Sequence, residues 1–424
     1  MFFLDGNQPV WQNRNICKNL VTEKRQKCRF CGLFAQKLPK NLRNRLLTCP
    51  PCVPYDKQVS KKEAYAMARR SNDIFVPQRE RRGMIWLIII LLMAGAILAA
   101  GLMMNTAANR RVTLTTEKVA VMGLDKTYEG FSILHLSDLH ASEVGSDPAL
   151  WRKLLYGKSF HAIVLSGDMV GATGNDEPLL SLIRALRLVK QDVPIYFISG
   201  DEDPVPVIST PTASPEVLAE WVRAAQKAGA IYLDAPVAQQ VGKKTVWFVP
   251  QYLYDMNPES MIASLISQIA SIEETNQQYE GTSGAVYRAL KYRLDTMQRT
   301  QEAIALMQDA DLQIAVNHAP LDPGYIRTNL EWADQTQVFN FRQIDLLLCG
   351  DLCGGQWRLP GVGPVYIPDR GFFPGDEGVS GMQRINSINQ YVSPGLGASR
   401  LNPLPGRLIN PPGATLLKFT GDIQ

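Results

Sequence analysis

The chain has 424 residues and a formal net charge of +4, so it is long enough for more than one folded unit. The charge is uneven: residues 1–83 contain 18 Lys and Arg against 6 Asp and Glu, which leaves the remainder net acidic. A basic leader favours an anionic neighbour. Because no nucleic-acid recognition motif accompanies it, we expect a membrane surface and no nucleic-acid partner.

The basic leader contains two cysteine pairs within residues 1–52. They are Cys28, Cys31, Cys49 and Cys52. Pairs at this spacing can close a tetrahedral zinc site, and metal would supply folding energy to a segment too small for its own core. The alternative is four free thiols in a flexible basic segment. We predict a structural zinc knuckle in residues 1–52 and a polar linker over residues 53–83.

An uncharged apolar segment follows the leader. It runs from Met84 to Met104, and its 21 residues are enough to cross a bilayer core of roughly 30 Å. Lys and Arg are more frequent before this segment than after it, which places the N-terminus in the cytoplasm. The sequence therefore predicts a single-pass membrane protein whose domain at residues 112–424 is extracytoplasmic.

Strand-like and helix-like segments alternate in the outer domain. The predicted strands include Phe131–Leu136, Ala162–Leu165, Ile195–Ile198, Leu312–Val316, Asp345–Leu348 and Ala414–Phe419. The predicted helices include Asp147–Tyr156, Glu177–Val189 and Ser214–Ala228. This alternation predicts an α/β domain. Residues 258–310 interrupt it with two helical stretches, which we interpret as an inserted hairpin that either caps a site or packs elsewhere.

Five short polar segments each follow an apolar run. They are Ser137-Asp138-Leu139-His140, Ser166-Gly167-Asp168, Gly200-Asp201-Glu202-Asp203, Asn317-His318-Ala319-Pro320 and Gly350-Asp351-Leu352-Cys353-Gly354-Gly355-Gln356. Their order and spacing resemble the calcineurin-like metallophosphoesterases, especially the membrane-anchored branch. That family has D-x-H, G-D, G-N-H-D, H-x-P and G-H-x-H-G-G-Q. The resemblance implies two stacked β-sheets flanked by helices, a four-layer sandwich with the metal site at the strand ends.

The resemblance also implies two divalent metal ions and their ligands. By motif position, the first ion would be held by Asp138, His140, Asp168 and Cys353, and the second by Asp168, Asp201, His318 and Asp351. Aspartate at 201 replaces the family's asparagine, and Asp351 and Cys353 replace two histidines. All these residues can still bind a metal. Because oxygen donors outnumber imidazoles, we expect Mn²⁺, Mg²⁺ or Ca²⁺ rather than zinc or iron in this site.

Two residues of the motifs leave alternatives open. Glu202 replaces a histidine that assists phosphate binding or protonates the leaving group in the family, so it is the candidate catalytic residue. A glutamate could act as general acid only with a raised pKa, and it adds negative charge where a phosphate must bind. Cys353 either binds metal or forms a disulfide with Cys349. We assign His135 and His161 to ordinary core or surface positions.

Two functions are compatible with these patterns. The first is a membrane-anchored, metal-dependent phosphoesterase that hydrolyses a phosphorylated small molecule or a lipid-linked phosphate near the membrane. The alternative is an inactive pseudo-phosphoesterase that serves as a binding or envelope interaction module. The fold alone does not decide between them, because several residues of the site itself are substituted.

Overall fold

The computed structural model describes residues 78–210, 215–275, 282–334, 336–368, 370–404 and 406–422. The predicted zinc cysteines and nearly all of the predicted linker lie outside these residues, and so does Ser214, at which a helix was predicted to begin. The chain divides into two units, Met1–Ile88 and Ile89–Gln424. The elements that position the site belong to the second.

The described residues contain seven α-helices. They are α1 (Gln78–Asn109), α2 (Pro148–Leu154), α3 (Glu177–Val189), α4 (Glu220–Lys227), α5 (Pro258–Thr275), α6 (Thr282–Leu306) and α7 (Pro323–Trp332). Within α1, the segment Gly83–Asn109 is strongly apolar and is not buried against the rest of the chain. This helix is therefore long and apolar enough to cross a membrane.

The described residues contain sixteen strands. They are β1 (Thr113–Ala120), β2 (Ser132–Leu136), β3 (Ala162–Ser166), β4 (Ile195–Ile198), β5 (Ala230–Tyr232), β6 (Val237–Val241), β7 (Lys244–Pro250), β8 (Leu312–Val316), β9 (Ile344–Cys349), β10 (Arg358–Leu359), β11 (Gly363–Pro364), β12 (Tyr366–Ile367), β13 (Gly371–Phe372), β14 (Gly381–Ile385), β15 (Ile388–Val392) and β16 (Gly413–Thr420). Twelve of them form two six-stranded sheets. The hairpin of β14 and β15 was not predicted, because its polar sequence lacks a continuous apolar run.

Both large sheets are mixed. The first has the order β1-β16-β2-β3-β4-β5, and β2 to β5 are parallel. The second has the order β14-β15-β9-β8-β7-β6, and β15, β9, β8 and β7 are parallel. Parallel strands buried on both faces are continuously apolar, as in β3 with Ala-Ile-Val-Leu-Ser. These runs explain why the sequence indicated the central strands.

The hydrophobic core has several layers. Between the sheets, Ile133 and Val164 belong to the same buried cluster as Phe248 and Ile314. Helices α2, α3 and α4 cover the outer face of the first sheet, where Trp151 is fully buried. The second sheet is covered on its outer face by α5, α6 and α7. The predicted sandwich of two sheets flanked by helices is confirmed.

The predicted insertion consists of α5 and α6, which pack on the outer face of β7. Leu265 and Met297 join Trp247 and Val249 in one buried cluster. The cavity beside Asp201, Glu202 and Asp351 has no lining residue from these helices among the described residues. The hairpin therefore packs on the second sheet and does not cover that cavity.

One predicted helix begins later than expected. The pattern predicted Ser214–Ala228, but α4 begins at Glu220. Residues before it are extended, because Leu218 forms a bridge with Val207 and the amide of Ala219 donates to the carbonyl of Pro206. The tertiary contact with the loop after β4 competes successfully with helix formation here.

Candidate metal centre

The five motif segments meet at one edge of the two sheets. Asp138 follows β2, Asp168 follows β3 and Asp201 follows β4 in the first sheet. His318 follows β8 and Asp351 follows β9 in the second. Because the ends of parallel strands lie at the same edge of a sheet, motifs far apart in sequence become neighbours.

The first donor group contains Asp138, His140 and Cys353. One ligand atom from each lies within 4.8 Å of the others. Nε2 of His140 lies 3.5 Å from Sγ of Cys353 and 3.7 Å from Oδ2 of Asp168. All four side chains are buried. Together they provide two carboxylates, an imidazole and a thiol around one point.

The second donor group contains Asp201, His318 and Asp351. Nε2 of His318 lies 3.1 Å from Oδ1 of Asp201 and 4.0 Å from Oδ1 of Asp351. It also lies 3.2 Å from Oδ2 of Asp168. Nδ1 of His318 contacts the carbonyl of Ser166 at 2.9 Å, which fixes the ring with Nε2 toward the carboxylates.

Asp168 lies between the two groups. Its Oδ2 is the oxygen that approaches both His140 and His318, and its Oδ1 accepts a hydrogen bond from the amide of Glu202 at 2.9 Å. This is the position of a carboxylate shared by two cations. The structure thus brings together all seven residues that the motifs predicted as metal ligands.

Glu202 contacts His140 and forms a further group of possible donors with His140 and Asp168. Its Oε2 is 3.3 Å from Nδ1 of His140, whose Nε2 points toward Cys353. The hydroxyl of Ser399 donates to Oε1 of Glu202. Two contacts therefore hold this carboxylate against the imidazole. This is the arrangement in which a second carboxylate orients a ligating histidine.

The backbone of the site is strained. Five of its residues have φ in the left-handed region, between 46° and 73°: Asp138, His140, Asp168, Asp351 and Cys353. Non-glycine residues adopt this conformation rarely, and such residues cluster at functional sites. Glycine is required beside them, since a Cβ at Gly200 would overlap the carboxylate of Asp168. At Gly350 it would overlap the side chain of Ser137.

Asp203 supports the centre without facing it. It is buried, and its carboxylate accepts hydrogen bonds from the amides of Met169, Val170, Gly171 and Gly200 at 2.7–3.3 Å. It thereby fixes the loop after β3 against the loop after β4. This role of Asp203 was not predicted from the sequence. The last position of the G-N-H-D pattern was the available signal.

The remaining predictions concern a possible disulfide and the two histidines outside the motifs. Cys349 and Cys353 are both buried free thiols, so the alternative disulfide is not formed. His135 is buried between the sheets, where Nε2 contacts the hydroxyl of Ser166 at 2.8 Å and burial lowers its pKa to about 3. Nδ1 of His161 accepts from the amide of Ser132. Neither histidine joins the metal centre.

The electrostatics of the cluster favour a cation. Burial raises the pKa of Asp138, and burial together with neighbouring carboxylates raises the pKa of Asp351 to about 6. Burial opposes charge on His318, but Asp168 and Asp201 raise its pKa well above its ordinary value. Burial therefore disfavours the ionised forms of Asp138 and Asp351, and a bound divalent cation would supply the positive charge that stabilises them.

The residues fit a pair of divalent metal ions. Nε2 of His318 is buried and lacks a hydrogen-bond partner, although two carboxylate oxygens lie within 3.2 Å. Donor atoms that converge without bonding to one another leave room for a cation between them. Among the described residues, four overlapping groups can hold a metal.

One comparison with known proteins identifies a family. No curated protein matches the chain. A solved structure that is similar to it is the phosphopantetheinyl hydrolase of Mycobacterium tuberculosis, with 12% identity over 62% of this chain and 89% of that one, and a TM-score of 0.29. The family model for calcineurin-like phosphoesterases matches residues 131–355, more than half of the chain. The chain therefore belongs to the calcineurin-like phosphoesterase family.

Proposed function

We propose that this chain is a membrane-anchored, metal-dependent phosphoesterase that acts on a phosphorylated substrate close to the bilayer. The observation that carries the proposal is the position of Asp168, whose Oδ2 faces His140 of the first donor group and His318 of the second. Random loss of the site would not preserve a metal-binding atom at every substituted position, including Asp201, Asp351 and Cys353.

In this proposal the donors divide between two ions. Asp138, His140, Asp168 and Cys353 hold the first, and Asp168, Asp201, His318 and Asp351 hold the second. The second group contains three carboxylates and one imidazole, which favours Mn²⁺, Mg²⁺ or Ca²⁺. When bound, such a pair of ions supplies Lewis acidity, an activated water and charge to neutralise phosphoryl oxygens.

The protein's own groups orient this chemistry. Glu202 fixes the ring of His140 through Nδ1, and Ser399 fixes Glu202 in turn. We propose that Glu202 acts in the reaction centre mainly by positioning His140. Burial opposes its ionisation, but contacts with His140 and Ser399 lower its pKa, which disfavours the protonated form that a general acid needs.

Contacts from α1 support a substrate near the membrane. The side-chain amides of Asn105 and Asn109 both donate to the carbonyl of Arg407 at 2.7 Å. The buried guanidinium of Arg407 donates to the carbonyls of Pro394 and Gly397. Gly397 in turn donates to the carbonyl of Asp138. The end of the apolar helix is thus joined to the metal centre through one loop.

The excess of Lys and Arg before the helix supports a cytoplasmic N-terminus and an extracytoplasmic domain.

The inactive alternative also has support. Glu202 and Asp201 add negative charge beside the place where a phosphate must bind, and repulsion there would slow phosphoryl transfer. In that case the same fold would bind a phosphorylated ligand or an envelope partner without turnover.

Metal content and hydrolysis of bis(p-nitrophenyl) phosphate by the full chain test the proposal. We expect two divalent ions per chain in addition to the proposed zinc of residues 1–52, and measurable hydrolysis. Asp168→Asn should lose the two ions and the hydrolysis but keep the zinc. Asp192→Asn, an exposed carboxylate outside the donor groups, serves as the control. Two bound ions without hydrolysis would favour the binding module, and no bound ion would contradict the metal centre. Zinc that is lost only in Cys28→Ser would reveal the separate site that we propose in residues 1–52.

A further inference from the structure

A second cavity lies beside the metal centre and has different chemistry. Its volume is about 610 Å³, which is the size of a small-molecule pocket. It lies between the inserted helix α6, the end of β5, the turn after β7 and the loop after β4. The polar motif residues line a different cavity.

Apolar side chains dominate the wall of this cavity. Met256, Met261 and Met297 line it, together with Val286 and Leu290. Methionine side chains are flexible and polarisable, so a wall that contains three of them adapts to an irregular or flexible apolar group. The lining thus favours a hydrocarbon group over a rigid polar one.

Most polar side chains in the wall are already hydrogen-bonded. The hydroxyl of Tyr292 donates to the carboxylate of Asp234, and that of Tyr252 donates to the carbonyl of the same residue. Arg299 also pairs with Asp234 and donates to the hydroxyl of Thr296. Since these donors and acceptors are occupied, they present no unpaired group that could recognise the edge of a nucleobase or a sugar.

Arg293 is the exception. It lines the cavity, its side chain is exposed, and it has no hydrogen bond or ion pair with any residue that the structure describes. A free guanidinium at the rim of an apolar cavity suits an anionic head group on an apolar chain.

The cavity is connected to the metal centre through the loop after β4. Tyr232, in the cavity wall, pairs with Phe197 of β4, and Ser199 follows the end of that strand. Ser199 directly precedes Gly200 and Asp201 of the third motif. Val207, also in the wall, follows the same motif by a few residues. One loop therefore borders both the donor groups and the apolar cavity.

We propose that this cavity binds the hydrocarbon chain of a phosphorylated amphiphile, with the phosphate held toward Arg293 and the metal centre. The proposal rests on the proposed phosphoesterase function and narrows its substrate to phosphates that carry an alkyl, acyl or isoprenoid chain. The chain supplies apolar burial in the cavity, and the phosphate supplies the charge. Water-soluble phosphoesters would use the metal centre alone.

Photo-crosslinking of the full chain in nanodiscs tests the proposal. The probe is dodecyl phosphate with a diazirine in the middle of its chain, and mass spectrometry locates the labelled residues. We expect labelling of peptides that contain Met256 to Met261 and Val286 to Met297. Labels confined to residues 84–109 would show only partition into the bilayer and would overturn the proposal.

Two variants on the inserted helices make the test specific. Val286→Trp fills the cavity from its wall, whereas Ile266→Trp introduces the same side chain at an exposed position outside it. We expect at least about tenfold weaker labelling in Val286→Trp, because two excluded methylenes are worth about 1.6 kcal/mol. Ile266→Trp should label like the unmodified chain. Equal labelling in both variants would contradict the cavity as the binding site.

The charge at the rim is tested separately. Arg293→Gln should weaken labelling by the dodecyl phosphate probe but leave a neutral diazirine dodecanol unaffected. An equal effect on both probes would contradict head-group recognition by Arg293.

Hydrolysis of bis(p-nitrophenyl) phosphate separates the two proposals. This ester should be hydrolysed equally by the unmodified chain and Val286→Trp, since it does not need the cavity. Absence of hydrolysis in both, with labelling still sensitive to Val286→Trp, would refute the phosphoesterase and retain the lipid-binding cavity.

Discussion

The metal centre and the cavity beside it both contain buried polar side chains, but they differ in whether the polar atoms are hydrogen-bonded. At the metal centre, Nε2 of His318 is buried without a hydrogen bond although it faces two carboxylates. In the cavity, Asp234 and Tyr292 satisfy each other. Buried polar atoms without partners are costly, so their retention indicates a ligand. Polar atoms that are already paired leave only the apolar surface for recognition. The comparison explains why one region suits phosphate and metal, and the other suits hydrocarbon.

Removing the shared carboxylate should give the largest effect. Asp168→Asn keeps the size of the side chain but removes the charge that faces both His140 and His318. We expect hydrolysis to fall by about a thousandfold or more, equivalent to about 4 kcal/mol of transition-state stabilisation. Bound metal should fall as well. The measurements are kcat and metal content by mass spectrometry. Full activity with a full metal complement would show that the two donor groups do not share this residue.

The contact between Glu202 and His140 predicts a smaller loss. Glu202→Gln retains the shape but weakens the hold on Nδ1 of His140, and partners that orient metal ligands typically contribute about ten- to a hundredfold. If Glu202 acts by positioning, kcat falls while the acidic limb of the pH–rate profile keeps its midpoint, and metal affinity decreases. If the midpoint disappears and metal affinity is unchanged, Glu202 is the general acid instead.

Asp234 and Arg299 form a side-chain pair that anchors α6, and α6 forms part of the cavity wall. Asp234→Ala removes hydrogen bonds from Arg299 and Tyr292 in a partly buried setting, so we expect about 1.5–3 kcal/mol lower stability. Asp295→Ala is the matched control, because Asp295 pairs with the same arginine but is exposed and should contribute less than about 1 kcal/mol. Urea unfolding measures both. Equal effects would show that the pair with Asp234 does not anchor the helix.

The smallest expected effect comes from Asp345, which lies at the end of β9 opposite to Asp351. Asp351 at the metal edge has carboxylate neighbours, but at the other end burial alone raises the pKa of Asp345 to about 7. The unfolded chain ionises near its ordinary value of 3.8, so the folded state binds more protons between about pH 4 and 7. The stability that comes from burying Asp345 in its protonated form is therefore present at low pH and lost as the pH rises through about 7.

Asp345→Asn tests this assignment, because an amide oxygen can still accept from the amide of Gln313. The melting temperature of the variant relative to the unmodified chain should increase between pH 5 and pH 8. A constant difference across this range would show that Asp345 titrates normally in the folded protein.

Much of the fold and of the metal centre was predictable from the sequence. Buried parallel strands are continuously apolar, so the central strands could be predicted from the sequence. The resemblance of the motifs that follow them to a known family implied that Asp138, Asp168 and His318 lie in one site. The apolar helix was equally evident, since crossing a bilayer requires a long uncharged run. These features depend on local chain composition and on the fixed geometry of parallel sheets.

Other features depended on contacts between distant segments. The position of Glu202 against His140, the support from Asp203 and the free thiol of Cys353 follow from how loops pack, which no local pattern specifies. The start of α4 at Glu220 was decided by a bridge to the loop after β4. Likewise, the cavity exists because α6 packs beside that loop, and its chemistry depends on which tyrosine and aspartate side chains bond to each other. Sequence patterns determine which residues reach the edge of the sheets, whereas only tertiary packing determines which of their polar atoms remain free to bind a ligand.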